Sequence, residues 1–433
     1  MPDATVERAT PSASRLVLAS LPIAAGLGGG LGGLLLALLL RFVQHLAFGY
    51  SLDTLVSHES FLQGVTAAPA TRVLAVLALC GAVAGIGWWA IYRFGKALIS
   101  VDTSVTSTPK AMPPGTTTAH AVLQMVTVAM GSPLGREGAP REIGALIADW
   151  LSRKVGVAES HRRLLVACGA GAGLAAVYNV PFGGAVFALE VLLRTARLSA
   201  VVSASVACLV GAAVARLVLG AAPQYAVAAF TVTPALVVWA VLLGPVFGLA
   251  GLAFSRVTDA AAARAPHDKR LVLWCLLTFS AIGVLAVRYR ALLGNGRGPA
   301  QLGFDDSLSW EAAATLLGLR LLAVVFALRA GAAGGRLTPS VAMGALLGLV
   351  AALGWNGFLP MVSPVAGAII GAGVFLGAAL SMPVTALVLI FEFTWPDLKL
   401  LLPLTCAFGS ALALRALYRP GSERTASKDA AAR

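Results

Sequence analysis

Apolar and polar positions divide the 433-residue chain into long uncharged stretches separated by short polar ones. Apolar runs lie near 16–40, 71–92, 119–134, 163–193, 199–222, 229–254, 271–287, 312–330, 338–359, 364–390 and 397–414. A simple membrane-crossing helix needs about 20 apolar residues. Several runs are shorter than this and others too long for one crossing, which predicts tilted and re-entrant helices in place of a regular bundle. None shows the period-two alternation of a barrel strand, and a backbone in lipid must satisfy its own hydrogen bonds. The predicted fold class is an all-α polytopic membrane protein.

Composition agrees: 58% of residues are hydrophobic and 12% charged, against about 25% charged in an ordinary soluble domain. The 47 glycines suit close helix packing. The densest run, Gly26 to Gly33, has no Gly-Lys-Ser/Thr after it and reads as a packing face, not a phosphate loop. The net charge of +13 collects in loops and at the ends, at Arg153, Lys154, Arg162 and Arg163, at Arg264, Lys269 and Arg270, and from Arg415 to Arg433. Positive loops are cytoplasmic by rule, so both termini are expected there; Arg288, Arg290 and Arg297 do not follow the rule if their loop lies outside. No basic soluble domain is present to bind nucleic acid. Cys80, Cys168, Cys208, Cys275 and Cys406 lack metal-ligand spacing and read as packed thiols. The first 15 residues lack the features of a secretory signal, and no cofactor is expected.

Two charged glycine-rich strings interrupt the apolar pattern. They are Gly135-Arg136-Glu137-Gly138-Ala139-Pro140 and Gly334-Gly335-Arg336-Leu337-Thr338-Pro339. Each precedes a long apolar stretch holding a second proline, and Pro181 to Glu190 repeats the spacing of Pro383 to Glu392. In each string the glycines break one helix and the proline suits the first turn of the next. A helix start offers unpaired N–H groups and partial positive charge to an anion. Glu137 is itself an anion there, able to occupy such a site or to leave it when protonated. Matched, interrupted segments in two halves point to a transporter's binding site. The plainer reading of either string alone is a helix break. Glu190 and Glu392 end apolar runs and suit a structural role better than a direct one.

At these residues the chain resembles the CLC family of chloride channels and proton-coupled chloride exchangers. The first string is similar to the family's G-K/R-E-G-P and Gly335-Arg336-Leu337-Thr338-Pro339 to its G-x-F-x-P. Asn179-Val180-Pro181-Phe182-Gly183-Gly184 leading to Glu190, and Met382-Pro383 leading to Phe391-Glu392-Phe393-Thr394, add support. The resemblance implies a homodimer in a prokaryotic plasma membrane, each subunit an inverted repeat of tilted and re-entrant helices with its own anion pathway. It implies a cytoplasmic segment 1–15, a transmembrane domain 16–420 with repeats at about 71–222 and 229–418, and a short tail 421–433. By position, Glu137 resembles the gating glutamate, while Gly135, Arg136, Gly138 and Ala139 with Arg336, Leu337 and Thr338 resemble the anion-binding backbone. Chloride or another small anion, protons and membrane lipid are the implied partners.

The resemblance has gaps. The family's serine-bearing G-S-G-I-P string is not recognisable after Tyr92, and Ser100 is the nearest hydroxyl. Tyr418 is the nearest candidate for the pore tyrosine. Val191 stands where exchangers often carry a second glutamate after the position of Glu190. Arg336 replaces an apolar residue, either paired with a carboxylate or adding positive field. Channel and exchanger both stay open. An enzyme is not expected: no G-x-S-x-G elbow is present, and His45, His58, His120, His161 and His267 mostly lie at segment ends. The alternatives are a cation or solute transporter on another inverted-repeat fold, and an intramembrane hydrolase, for which hydrolysis dependent on His120 would be the sign.

Overall fold

The computed structural model describes residues 15–50, 60–106, 111–359 and 361–417. Tyr418, the expected tail and all of the expected N-terminal segment except Arg15 lie outside the described residues. Among the described residues there are helices and no strand. In order they are α1 (Arg15–Phe48), α2 (Phe61–Ala67), α3 (Ala70–Phe94), α4 (Val101–Thr106), α5 (Pro114–Ala129) and α6 (Gly138–Val155). Then come α7 (Glu159–Tyr178), α8 (Pro181–Phe187), α9 (Leu198–Leu219), α10 (Pro234–Ala263), α11 (Arg270–Arg288) and α12 (Arg297–Phe304). The last are α13 (Trp310–Arg329), α14 (Leu337–Asn356), α15 (Pro364–Ala379), α16 (Pro383–Thr394) and α17 (Leu401–Leu417). Among the described residues, eight helical segments are long and apolar enough to cross a membrane. Leu31, Leu35, Leu46, Leu217 and Leu402 are exposed along such segments, as lipid-facing side chains should be.

The overlong runs break where the backbone forces them to. The run at 163–193 ends its first helix at Tyr178, and Asn179 takes a left-handed φ of 59°. The run at 364–390 does the same at Ser381, with φ 54°. An asparagine enters that region at small cost, a serine at more. Two residues later Pro181 and Pro383 each open a new helix, where their missing N–H is no loss. α8 then closes in a π-helical turn, Ala188–Leu193, which carries Glu190.

The chain divides into two compact units. The first comprises Met1–Leu39, Ile91–Met125 and Glu137–Ala222. Within it α6 packs against α7 so closely that a Cβ on Gly144 or Gly169 would overlap the carbonyl oxygen of the other. The buried Arg162 guanidinium fastens three helices of this unit. It donates to Asp149 Oδ1 on α6 at 2.6 Å, to the Ser104 carbonyl on α4 at 2.8 Å, and to Glu159 Oε2 on its own α7 at 2.7 Å.

The second unit comprises Leu40–Ala90, Val126–Arg136 and Pro223–Arg433. Here α14 packs on α15 by the same device, with Gly344 and Gly371 each facing the other's carbonyl oxygen. The positions correspond between units. Gly144 and Gly344 each stand nine residues beyond Gly135 and Gly335, and Gly169 and Gly371 each twelve before Pro181 and Pro383. Small residues at these contacts let backbones approach where no hydrophobic effect drives helices together.

Replacing Gly144 or Gly371 with leucine is therefore expected to destabilise the fold by at least about 1–3 kcal/mol through overpacking. Gly318→Ala, where nothing lies within 4 Å of the added methyl, should be neutral or slightly stabilising. Thermal unfolding of the detergent-solubilised variants measures the difference, and equal midpoints for the three would contradict it.

Candidate functional site

Two stretches of irregular backbone lie within an apolar protein, and each must find partners for its peptide groups. The two strings find them in each other. Gly135 N donates to Gly335 O at 2.7 Å, and Gly335 N donates to Gly135 O at 2.8 Å, an isolated antiparallel bridge inside the second unit. A Cβ on Gly334 would sit 2.6 Å from Leu134 Cβ, so the crossing requires a glycine there. Gly131 turns the chain into the first string with φ 106°, and Gly331 turns it into the second with φ 98°.

Each string leaves the bridge directly into a helix. Glu137 occupies the N-cap position of α6, with Gly138 and Ala139 in its first turn. Arg336 occupies the N-cap position of α14, with Leu337 and Thr338 in its first turn. Ala139, Leu337 and Thr338 are buried, and Arg136, Gly138 and Arg336 are half-buried. The first N–H groups of a helix have no partner within it, and the macrodipole gives that end positive character.

Glu137 is fully buried. Although it stands at the helix start, its side chain makes no capping bond to α6. Its Oε2 instead accepts from the Tyr178 hydroxyl at 3.3 Å. Its backbone carbonyl accepts from Arg141 Nε at 2.8 Å, and the Arg141 guanidinium lies over the Phe187 ring, 5.1 Å from its centre. The Tyr178 hydroxyl was not found by sequence reasoning, since it closes an apolar run. Its only signal was the helix-ending Asn179-Val180-Pro181 that follows it.

Other expected residues fall in different settings. Arg336 donates to Asp259 Oδ1 at 2.5 Å and to Thr258 Oγ1 at 2.9 Å, both on α10. Of its two expected roles the carboxylate pairing is the one observed, with Asp259 well exposed and the pair screened accordingly. Ser100 is exposed and accepts from the Thr103 amide at 3.0 Å, so its hydroxyl is engaged at the start of α4. Glu190 is half-buried in the π-helical turn. Sequence reasoning also missed Arg320, which is fully buried on α13. Its guanidinium donates to Leu292 O at 2.7 Å and to Pro133 O at 3.0 Å, and so holds the approach to the first string. Among the described residues no group of three His, Cys, Asp or Glu side chains is placed to hold a metal ion.

The chain is similar to known proteins in sequence and in fold. Residues 81–415 match the voltage-gated chloride channel family. The chain is 31% identical to the ClcB-like protein of Ralstonia nicotianae over 65% of this chain and 68% of that one. It is 31% identical to the H⁺/Cl⁻ exchange transporter ClcA of Cronobacter sakazakii, over 71% of this chain and 70% of that one. In structure it is similar to a slow cyanobacterial Cl⁻/H⁺ antiporter, with a TM-score of 0.75 at 21% identity over 93% of this chain and 96% of that one. A CLC-type fluoride/proton antiporter aligns with a TM-score of 0.65 at 20% identity, over 92% of this chain and 97% of that one. The family match spans the crossed strings, the buried Glu137 and the proline-led helices beyond them, and this chain belongs to the voltage-gated chloride channel (CLC) family.

Proposed function

We propose that this protein carries chloride across a membrane in exchange for protons, with Glu137 as the protonatable gate. The observation that carries the reading is a fully buried carboxylate, held by a tyrosine hydroxyl, two residues beyond the Gly135–Gly335 bridge. A carboxylate inside a membrane protein is expensive unless ions or protons use it. Ionised, Glu137 occupies the positive end of α6; protonated, it has no reason to compete there with a passing anion.

In this reading the backbone of Gly135, Arg136, Gly138 and Ala139 and of Arg336, Leu337 and Thr338 lines the anion path. The neutralised Arg336 side chain contributes little field, so peptide N–H groups attract the ion. Tyr178 supplies a hydroxyl at the gate. Exchange of Cl⁻ for H⁺ in the ClcA relative supports proton coupling. Passive conduction is the second reading, and Val191 favours it, because a valine cannot relay a proton beside Glu190. We further propose a homodimer with both termini cytoplasmic.

Two variants test the gate. Glu137→Gln in proteoliposomes under a chloride gradient should abolish coupled proton movement and the pH dependence of chloride flux. Unchanged coupling and pH dependence would remove Glu137 from the role. Tyr178→Phe deletes one hydrogen bond, long at 3.3 Å and worth about 0.5–1.5 kcal/mol. It should therefore favour the released gate and raise chloride flux about two- to tenfold; flux equal to that of the unmodified protein would show that the bond does not hold the gate shut.

A further inference from the structure

α5 and α6 meet in antiparallel fashion within the first unit, where His120 and Gln124 on one face Glu142 and Gly138 on the other. Each pair is four residues apart, one turn on the same side of its helix. His120 Nδ1 lies 2.8 Å from Glu142 Oε2. The Gln124 amide nitrogen lies 3.2 Å from Glu142 Oε1 and 2.9 Å from His120 Nδ1. The Gln124 oxygen packs on Gly138, where any Cβ would overlap it. The glycine thus lets this amide reach the residue that follows Glu137.

Nδ1 has one in-plane position for either a proton or a lone pair. It faces a carboxylate oxygen and an amide nitrogen at the same time. With the proton on Nδ1, the ring donates to an ionised Glu142. With the proton on Glu142, Nδ1 is an acceptor. The arrangement holds one proton in two alternative places, and it is partly open, with 13% of the His120 and 19% of the Glu142 side chain exposed. Other charges on these helices are engaged elsewhere. Arg141 binds the Glu137 carbonyl, Asp149 pairs with Arg162 and Arg153, and Lys154 lies over Trp150; at the start of α7, Glu159 pairs with Arg162 and Arg163. A carboxylate and an imidazole set together between two helices of an apolar protein are costly if they serve only packing.

We infer that His120 and Glu142 form a second proton-binding site that serves Glu137. Gln124 is its positioning residue, and water carries the proton along the five residues, about 7.5 Å of helix rise, between Glu142 and Glu137. A proton arriving from the side of Lys154 binds the pair. It leaves as hydronium-borne charge to the Glu137 carboxylate, and the pair returns to neutral imidazole and carboxylate. The Gln124 amide gives up no proton. The inference rests on Glu137 being the protonatable gate, and it supplies a proton route that does not need a carboxylate at Val191.

The test records chloride and proton movement together in proteoliposomes for the unmodified protein, Glu142→Gln, His120→Gln and Glu142→Asp. Glu142→Gln and His120→Gln should each lower the protons moved per chloride at least about tenfold, the scale of a lost proton-transfer group. Glu142→Asp should recover part of that loss. A fall in both fluxes in proportion would mark the pair as structural and overturn the inference, as would an unchanged ratio. Chloride flux without coupled protons in the unmodified protein would overturn it and leave anion transport standing. No anion flux in the unmodified protein would overturn both.

Discussion

Within the second unit, everything near the crossing depends on two hydrogen bonds between Gly135 and Gly335. Helices solve the membrane's demand for internal hydrogen bonding by themselves, but the two glycine-rich strings are not helical. Their reciprocal bridge satisfies one donor and one acceptor from each. Glycine at 334 makes the approach sterically possible, and Arg320 secures the incoming chain by its bond to Pro133 O. A guanidinium spent on carbonyls rather than carboxylates leaves its positive charge in the protein interior. That charge has the sign an anion pathway can use.

The carboxylates named above divide by partner. Asp149 faces the buried Arg162, an ion pair whose rupture leaves an uncompensated charge and costs several kcal/mol, about 3–5 by analogy with other buried pairs. Asp259 meets Arg336 near water, where the pair is weak. Glu137 and Glu142 have softer partners, a phenol and an imidazole with an amide. This separates the groups that fasten helices from those we propose to carry protons.

Close glycine contacts link these chemical features to the fold. Gly144 with Gly169 and Gly344 with Gly371 bring α6 onto α7 and α14 onto α15, so that each helix start following a string is fixed by a rigid neighbour. Such contacts constrain residue size at few positions and leave lipid-facing positions open to change.

Much of this was readable from the chain alone. Apolar runs too long for one helix, broken by Asn179 before Pro181 and by Ser381 before Pro383, determined the interrupted all-helical pattern, since proline and positive φ act locally. The two strings announced themselves by charge among apolar residues, and Glu137 by being a lone carboxylate there. What one-dimensional reading lacked was the partner of each group. That Gly135 pairs with Gly335, that Arg336 meets Asp259, that Tyr178 reaches Glu137, and that His120 faces Glu142 depend on contacts between residues from 22 to 200 positions apart. Backbone conformation is dictated by neighbours in sequence, whereas the partner of a buried charge is dictated by packing, and only the tertiary structure decides it.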